Sequence, residues 1–334
     1  METIKMRKHT RWGGIVRQIS AREPVVDILF VFLSVQVISI IASLLYPTSF
    51  RYLSDVNFSV MLKAVSVLGI LSLGAGILMI SGEFDLSIGS NFALSAIVMA
   101  MLTEWGLSAF AAAPVGLVVG ILIGLLNGFL ALHFEIPSFI ATLGTMLFWN
   151  GMALFVNGAS GQPFLPSSAF TSLMAGRIFG IEAAFLWFVA LSIICWFLLH
   201  HHKLGNHFFA VGGNHQAAAA IGINSGRVKM LAFAIAGFCA ALAAIVATAR
   251  TGSVLPGQGN GLELQAIAAC VIGGLALSGG TGTVLGVFLG ASMIYTIQDI
   301  LLLLRAPGFY LNIFVGILLV VAVILNQMVR KRRR

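Results

Sequence analysis

An all-α, polytopic membrane bundle of about ten transmembrane helices is the fold class predicted, and three features of the sequence predict it. Apolar residues make up 59% of the 334 positions, mean hydropathy is +1.02, and charged residues are only 9%, against ~25% in soluble domains. So much apolar surface cannot be hidden in one water-surrounded core, so lipid must solvate most of the chain. Long apolar runs recur along the whole length. Segments such as Val25–Leu45, Phe185–Leu199 and Phe309–Leu325 are apolar on every face, whereas membrane β-strands alternate apolar and polar residues.

A bilayer core of ~30 Å takes ~20 apolar residues per helix. On that measure the expected spans are 25–45, 60–80, 87–102, 111–132, 139–156, 183–199, 230–249, 263–277, 282–303 and 309–327. The first follows a basic segment (Lys5, Arg7, Lys8, Arg11, Arg17, Arg22) and mimics a signal peptide. It is too long for a signal core and no small-residue cleavage site follows, so it is expected to stay as a span. The domain organisation is then a basic N-terminal segment (1–24), one membrane domain (25–327) and a basic tail (328–334).

Charge placement sets the expected orientation. With an even number of spans and a cytoplasmic N-terminus, the C-terminus is cytoplasmic too. That side collects the six N-terminal cations, Lys203, Arg227 and Lys229 of a central loop, and Arg330, Lys331, Arg332, Arg333 and Arg334, fourteen of the 19 basic residues. Arg51, Arg177, Arg250 and Arg305 fall outside, and Lys63 lies inside the second span. This bias is the positive-inside rule. It explains the net charge of +8 by topology, with no nucleic acid as partner, and the tail next to the bilayer reads as a membrane-lipid contact.

Gly116, Gly120, Gly124 and Gly128 recur every fourth residue, and Gly282, Gly286 and Gly290 repeat the device. Lipid offers no hydrophobic reason for helices to associate, so small residues that let backbones approach supply the packing. A moving interface would use the same spacing. A weak internal echo joins SGEFDLSIGS (81–90) to the SGGTG of 278–282; duplicated broken helices occur in transporters.

Three polar segments are candidate sites. Glu83, Phe84, Asp85 and Ser87 interrupt some forty apolar residues. Such groups in a membrane face protein or water, either lining a pathway or, for Asp85 and Ser87, capping the next helix. The Gly-rich connection from Arg250 through Gln258 to Glu263 is expected outside, as a gate or as a flexible link. In the long cytoplasmic loop, Asn214 can cap a short helix over His215, Gln216, Ala217, Ala218, Ala219, Ala220 and Ile221, and Gly222 can end it. Turns on both sides make that helix a docking knob, or an ordinary interfacial helix, and a charge at Ala218 is expected to disturb a docked partner.

Other chemistry finds little support. Five of the seven histidines crowd the central loop, but three adjacent ones do not share a helix face, so no metal is assigned. Cys195, Cys239 and Cys270 fall inside spans and read as small packing residues. No HExxH or GxSxG is present, and no GxxxxGK[ST], so the chain has no P-loop of its own and no cofactor is expected.

LSLGAGILMISGEFDLSIGS, PSFIATLGTMLFWNGMALFVNG (137–158), LGNHFFAVGGNHQAAAAIGINSGRVK and ELQAIAACVIGGLALSGGTGTVLGVFLGA (263–291), in this order, resemble the signatures of ribose-type permeases. These are the membrane subunits of bacterial ATP-binding-cassette (ABC) importers for monosaccharides and related polyols. The resemblance runs from about residue 25 to the end. It departs where the family usually has Gly-Ile-Asp and this chain has Glu83-Phe84-Asp85, and near Trp149-Asn150, where the family often has an arginine. The resemblance implies no enzymatic activity in this chain and an inner-membrane location. It implies a second permease copy or a paralogous permease, ATPase subunits docked on the 214–222 helix, and a periplasmic substrate-binding protein outside. The residues alone leave open a second class, an ion-coupled secondary transporter in which Asp85 and Glu83 bind the coupling ion.

Overall fold

The computed structural model describes residues 24–158, 160–310, 312–317, 320–321 and 324. The N-terminal cations and the tail Arg330–Arg334 lie outside the described residues, as does part of the expected span 309–327. The helices, in chain order, are α1 (Pro24–Leu45), α2 (Asp55–Ile80), α3 (Ile88–Glu104), α4 (Ala109–His133) and α5 (Ser138–Asn157). They continue with α6 (Ser168–Ala175), α7 (Ala183–His200), α8 (Lys203–Gly213), α9 (His215–Ala220), α10 (Ser225–Thr251), α11 (Leu262–Ile272) and α12 (Val284–Leu303). Four two-residue strands, β1 (Gln162–Pro163), β2 (Arg177–Ile178), β3 (Ile181–Glu182) and β4 (Ser253–Val254), pair β1 with β4 and β2 with β3, both antiparallel.

Among the described residues, seven helices are long and apolar enough to cross a bilayer: α1, α2, α4, α5, α7, α10 and α12. Helix α3 has 17 residues and α11 only 11. The chain folds back and forth between two ends. The lower end holds the α2–α3 turn, the α4–α5 turn, α8 and α9; the upper end holds 46–54, the β-hairpin and the β1–β4 pair.

Helix α10 is the central post, packed on α4, α2 and α3. Its contact with α4 is backbone to backbone. A Cβ on Gly120 would sit 2.6 Å from the Gly237 carbonyl oxygen, and one on Gly124 or Gly237 would collide with main-chain atoms of the facing helix. The later glycines act likewise, with Gly286 and Gly290 against Gly273 and Ala269. Gly282 is not part of that row: it precedes α12, in the turn, with φ +153°. The three cysteines are buried and free, and the Cys270 thiol donates to the Ser72 carbonyl at 3.2 Å.

Helix α11 departs from the expected span 263–277. After β4 the chain does not stay outside as a loop. It dips into the bundle until Gly259 meets Gly89, in the first turn of α3, with no room for a Cβ on either. A short helix and a lead-in of consecutive turns, with Gln258 N, Asn260 N and Leu262 N donating to the Leu255, Gly257 and Gly259 carbonyls, thus replace one long helix, as irregular backbone is allowed at membrane depth only where protein covers it.

At the upper end a buried carboxylate fixes the hairpin. Glu182 accepts from Ser59 Oγ at 2.6 Å and Arg177 Nε at 2.6 Å, and pairs with Lys63 Nζ at 3.2 Å. The cation inside the second span is therefore matched. Burial pushes the Glu182 carboxyl up, but Ser59, Arg177 and Lys63 outweigh it and hold it below the usual 4.5. A depressed folded-state pKa means stability present above the unfolded value and lost as pH falls through the folded one. Glu182→Gln is expected to melt lower than wild type at pH 7 in detergent, with the gap closing as the pH drops below 4.5. A gap unchanged with pH would remove the charge from the account. Gly237→Leu is expected to cost more than ~3 kcal/mol, the upper range for overpacking, and to be read as loss of monodisperse protein on size exclusion.

Candidate functional site

The α2–α3 turn is held by polar contacts from four directions. Helix α2 stops where Gly82, at φ +89°, takes a conformation that side chains disfavour, and Gly82 N and Glu83 N donate back to the Met79 and Leu78 carbonyls. Phe84 N donates to Ser138 Oγ and Leu86 N to Thr142 Oγ1, both at 3.0 Å, so α5 satisfies the unwound backbone. Asp85 Oδ1 accepts from Ser87 N at 2.7 Å. Asn127 Nδ2, from α4, reaches both Asp85 Oδ2 (3.1 Å) and Ser87 Oγ (2.5 Å). Asp85, Ser87 and Asn127 are all buried. One turn further along α3, Asn91 Nδ2 donates to the Gly120 carbonyl at 3.0 Å and Asn91 Oδ1 accepts from Ser95 Oγ at 2.9 Å. Glu83 points elsewhere: its Oε1 takes Lys229 Nζ at 2.5 Å, tying the turn to the start of α10.

The dipping segment brings two more polar side chains to the same region. Glu263 is 9% exposed, and its Oε1 accepts from Gly261 N at 3.1 Å. A Cβ on Gly89 would collide with its carboxylate. Gln258 Oε1 accepts from Leu255 N at 3.3 Å, and its Nε2 is buried without a partner among the described residues. Arg250 stands apart, exposed in the last turn of α10.

Three backbone turns meet at the lower end. Gly280 N donates to the Ile80 carbonyl at 2.9 Å. A Cβ on Gly279 would stand 2.8 Å from Gly82 Cα, and one on Gly280 2.5 Å from Gly213 Cα. A Cβ on Gly212 would overlap the Ile80 carbonyl and lie 2.7 Å from Gly280 N. The two glycine-serine motifs of the sequence echo therefore abut, with the end of α8 wedged against both. Directly after it, Asn214 Oδ1 accepts from Gln216 N and Ala217 N, each at 3.0 Å, and caps α9. Gly222, at φ +86°, follows it. Helix α9 is exposed except for Ala218, at 2%, and Ile221 is 75% exposed. The histidines here have local roles: His202 Nδ1 accepts from Leu204 N and caps α8, and His200 stacks on Trp196.

A family model described as "Branched-chain amino acid transport system / permease component" matches residues 57–323. The chain is 33% identical over 280 residues to the Autoinducer 2 import system permease protein LsrC of Salmonella choleraesuis (strain SC-B67), covering 84% of this chain and 80% of that one. It is 34% identical over 281 residues, with the same two shares, to the protein of that name from Yersinia pseudotuberculosis serotype O:3 (strain YPIII). No solved structure matches the chain. The chain belongs to this permease family. It is the membrane component of an ABC-type importer and a multi-pass protein of the bacterial inner membrane.

The permease thus brings Asp85 and Ser87 together with Asn127, sets the segment of Gln258 and Glu263 against Gly89 in the first turn of α3, and turns Glu83 to Lys229, while Arg250 lies in the last turn of α10. Two placements differ from the sequence reading. Gln258 and Glu263 are not on a free-standing link: 255–261 packs against α3 through Gly259, and Glu263 sits in the first turn of α11. Lys229 is not in the central loop but in α10, where it neutralises Glu83. Sequence reasoning missed Asn127, Ser138 and Thr142. Asn127 had a visible signal, an amide in a span otherwise apolar or glycine; the other two look like ordinary span residues.

Asp85 holds the start of α3 and Asn127, and a substitution pair separates this structural role from a transport role. Asp85→Ala leaves Ser87 N without its acceptor and Asn127 Nδ2 with Ser87 Oγ alone, and is expected to cost ~1–3 kcal/mol, the penalty for orphaned buried polar groups. Asp85→Asn keeps the acceptor for Ser87 N, and flipping Asn127 turns its unpartnered Oδ1 toward the new NH₂. Its melting temperature is expected to match wild type. Loss of uptake in that well-folded variant would assign the charge itself to transport; normal uptake would leave Asp85 a purely structural residue.

Proposed function

We propose that this permease moves a small polar, sugar-type solute inward, driven by ATPase subunits that dock on α9. The family description names an amino-acid system and the relatives are named for autoinducer 2, so family membership alone does not choose the cargo. The polar side chains that converge beside α3, an Asp, a Glu, a Gln and two Asn, suit hydroxyl-rich solutes better than aliphatic side chains. Glu83, Phe84, Asp85, Ser87, Gln258 and Glu263 are the proposed pathway-side group, and Arg250 is a proposed contact at its outer mouth.

In this reading the chain crosses ten times. The spans are α1 to α5, α7, α10, the dipping segment with α11, α12 and the apolar stretch from residue 309. The termini and the lower end are cytoplasmic, and residues 25–327 form one domain flanked by basic segments. The partners are two ATPase subunits, a periplasmic binding protein at the upper end, and a second copy or a paralogous permease.

The observation that carries the coupling assignment is the three-turn junction. Helix α9 projects from the lower end, and the backbone just before it is locked without side chains between the α2–α3 turn and the 278–282 turn. A push on α9 therefore reaches both non-helical segments that border the polar group. ATP can shift the permease between states only by binding them unequally, and a rigid link is what lets one docking helix feel that difference.

The test uses the transporter assembled with its ATPase partner in proteoliposomes. Ile221→Asp and Ala217→Glu are the variants, since both sites are exposed. Ala218, the position suggested by the sequence, is buried, so a charge there would damage the fold first. Uptake is expected to fall at least tenfold while the ATPase subunits still hydrolyse ATP. Uptake at the wild-type rate would overturn the coupling assignment. Uptake that persists without the ATPase subunits and collapses with an uncoupler would overturn the ABC reading for an ion-coupled one.

A further inference from the structure

We propose that a cavity between α1 and α12 at the upper end binds one phospholipid of the adjoining leaflet, its phosphate on Arg305 and an acyl chain along α1. The cavity has a volume of about 610 Å³, within the ~300–1,000 Å³ of small-molecule sites. It runs from Val35 on α1 to Tyr46 just past the helix end, which at ~1.5 Å per residue is ~16 Å, about half of a ~30 Å hydrocarbon core. Its chemistry changes along that length as a phospholipid's does. Val35, Ile38 and the single buried hydroxyl of Ser39 line the deeper part, Ala42, Ile300 and Leu303 the level above it, and Thr48, Ser49 and Arg305 the rim.

The void is held open by polar struts. Helix α1 reaches the bundle mainly through α12. Tyr52 Oη donates to Gln36 Oε1 at 2.6 Å, and Gln36 Nε2 donates to Thr296 Oγ1 at 3.1 Å. These bonds fix the spacing of α1 and α12, so the helices cannot close on each other to the density usual in protein interiors. The outward side of α1, with Ile41 and Leu44 exposed, faces lipid. Arg305 is exposed and has no carboxylate within 4.0 Å among the described residues. Its place just past α12 suits the helix dipole, but the dipole explains neither the cavity nor its apolar floor. A free phosphate would satisfy Arg305 and leave that floor empty; a phospholipid matches both parts.

The experiment takes the assembled transporter through mild detergent into nanodiscs of phosphatidylglycerol or of phosphatidylethanolamine. Retained phospholipid is counted by native mass spectrometry. Wild type is expected to keep one phospholipid per permease, preferring phosphatidylglycerol. Ala42→Phe, which fills the cavity, is expected to lose it, and Arg305→Ala to retain at least fivefold less phosphatidylglycerol. Ile41→Phe, on the same helix but outside the cavity, is expected to behave as wild type. If Ala42→Phe does not fold, Arg305→Ala and wild type carry the test. Equal retention in wild type and Arg305→Ala, or none in wild type, would overturn the proposal. So would a disulfide between the Ala42→Cys variants of two permease copies, which would put a second protein in the groove.

Discussion

The contact between Gly212 and the Ile80 carbonyl has no space for a single methyl group, and the lower half of the bundle is arranged around it. Lipid gives helices no hydrophobic reason to associate, so cohesion comes from close contact and matched polar groups. Where Gly212, Gly280 and Gly82 meet, three chain segments far apart in sequence touch through main-chain atoms alone. Side-chain contacts can re-pack through rotamer changes. Backbone contacts cannot, so this junction moves as one piece. The same device at Gly120, Gly124 and Gly237 makes α4 and α10 a second rigid pair, and the polar group at Asp85 lies between the two.

That placement has an energetic logic. Non-helical backbone in a membrane carries amide groups that water cannot satisfy, each worth several kcal/mol. The α2–α3 turn meets this demand with side chains: Ser138 and Thr142 on α5 accept from Phe84 N and Leu86 N, and Asp85, itself held by Asn127 on α4, accepts from Ser87 N. A structural break thereby becomes a convergence of polar groups. Glu263 and Gln258 arrive with the turn segment 255–261, whose Gly259 packs against Gly89 with no room for a Cβ on either. The polar region beside α3 is the consequence of packing irregular backbone, and a pathway for a polar solute can use it without further burial of charge.

The membrane class was legible because hydropathy is a sum over many residues, and single errors do not change it. The cap at Asn214 and the stop at Gly222 were legible because both are local: one side chain and one backbone conformation decide them. The partner of Glu83 was not, since Lys229 is 146 positions away and reads locally as one more cation of a basic loop. The dip after β4 was hidden for a related reason. Glycine-rich sequence describes a flexible external link and a close backbone approach equally well, and only Gly89 on another helix distinguishes them. The burial of Ala218 within a run of four alanines was invisible in the same way, as composition is uniform there and only packing differs.

The Glu83–Lys229 pair shows what a departure from a family pattern can mean. The resemblance expects a glycine at 83, where this chain carries a carboxylate. Its carboxylate pairs with Lys229 of α10, at 13% side-chain exposure against 18% for the lysine. Partly buried pairs gain little net stability, since desolvation offsets attraction. Their geometry is nonetheless specific, because separating the partners leaves each charge poorly solvated. A pair joining the α2–α3 turn to the first turns of α10 therefore favours the state in which those elements are together. Since α10 also carries the Gly237 contact with α4, the ion pair adds a third connection between the two rigid units, and unlike the glycine contacts it can part and re-form at modest cost. If ATPase subunits dock on α9 as proposed, this reversible tie lies at the end where they would push.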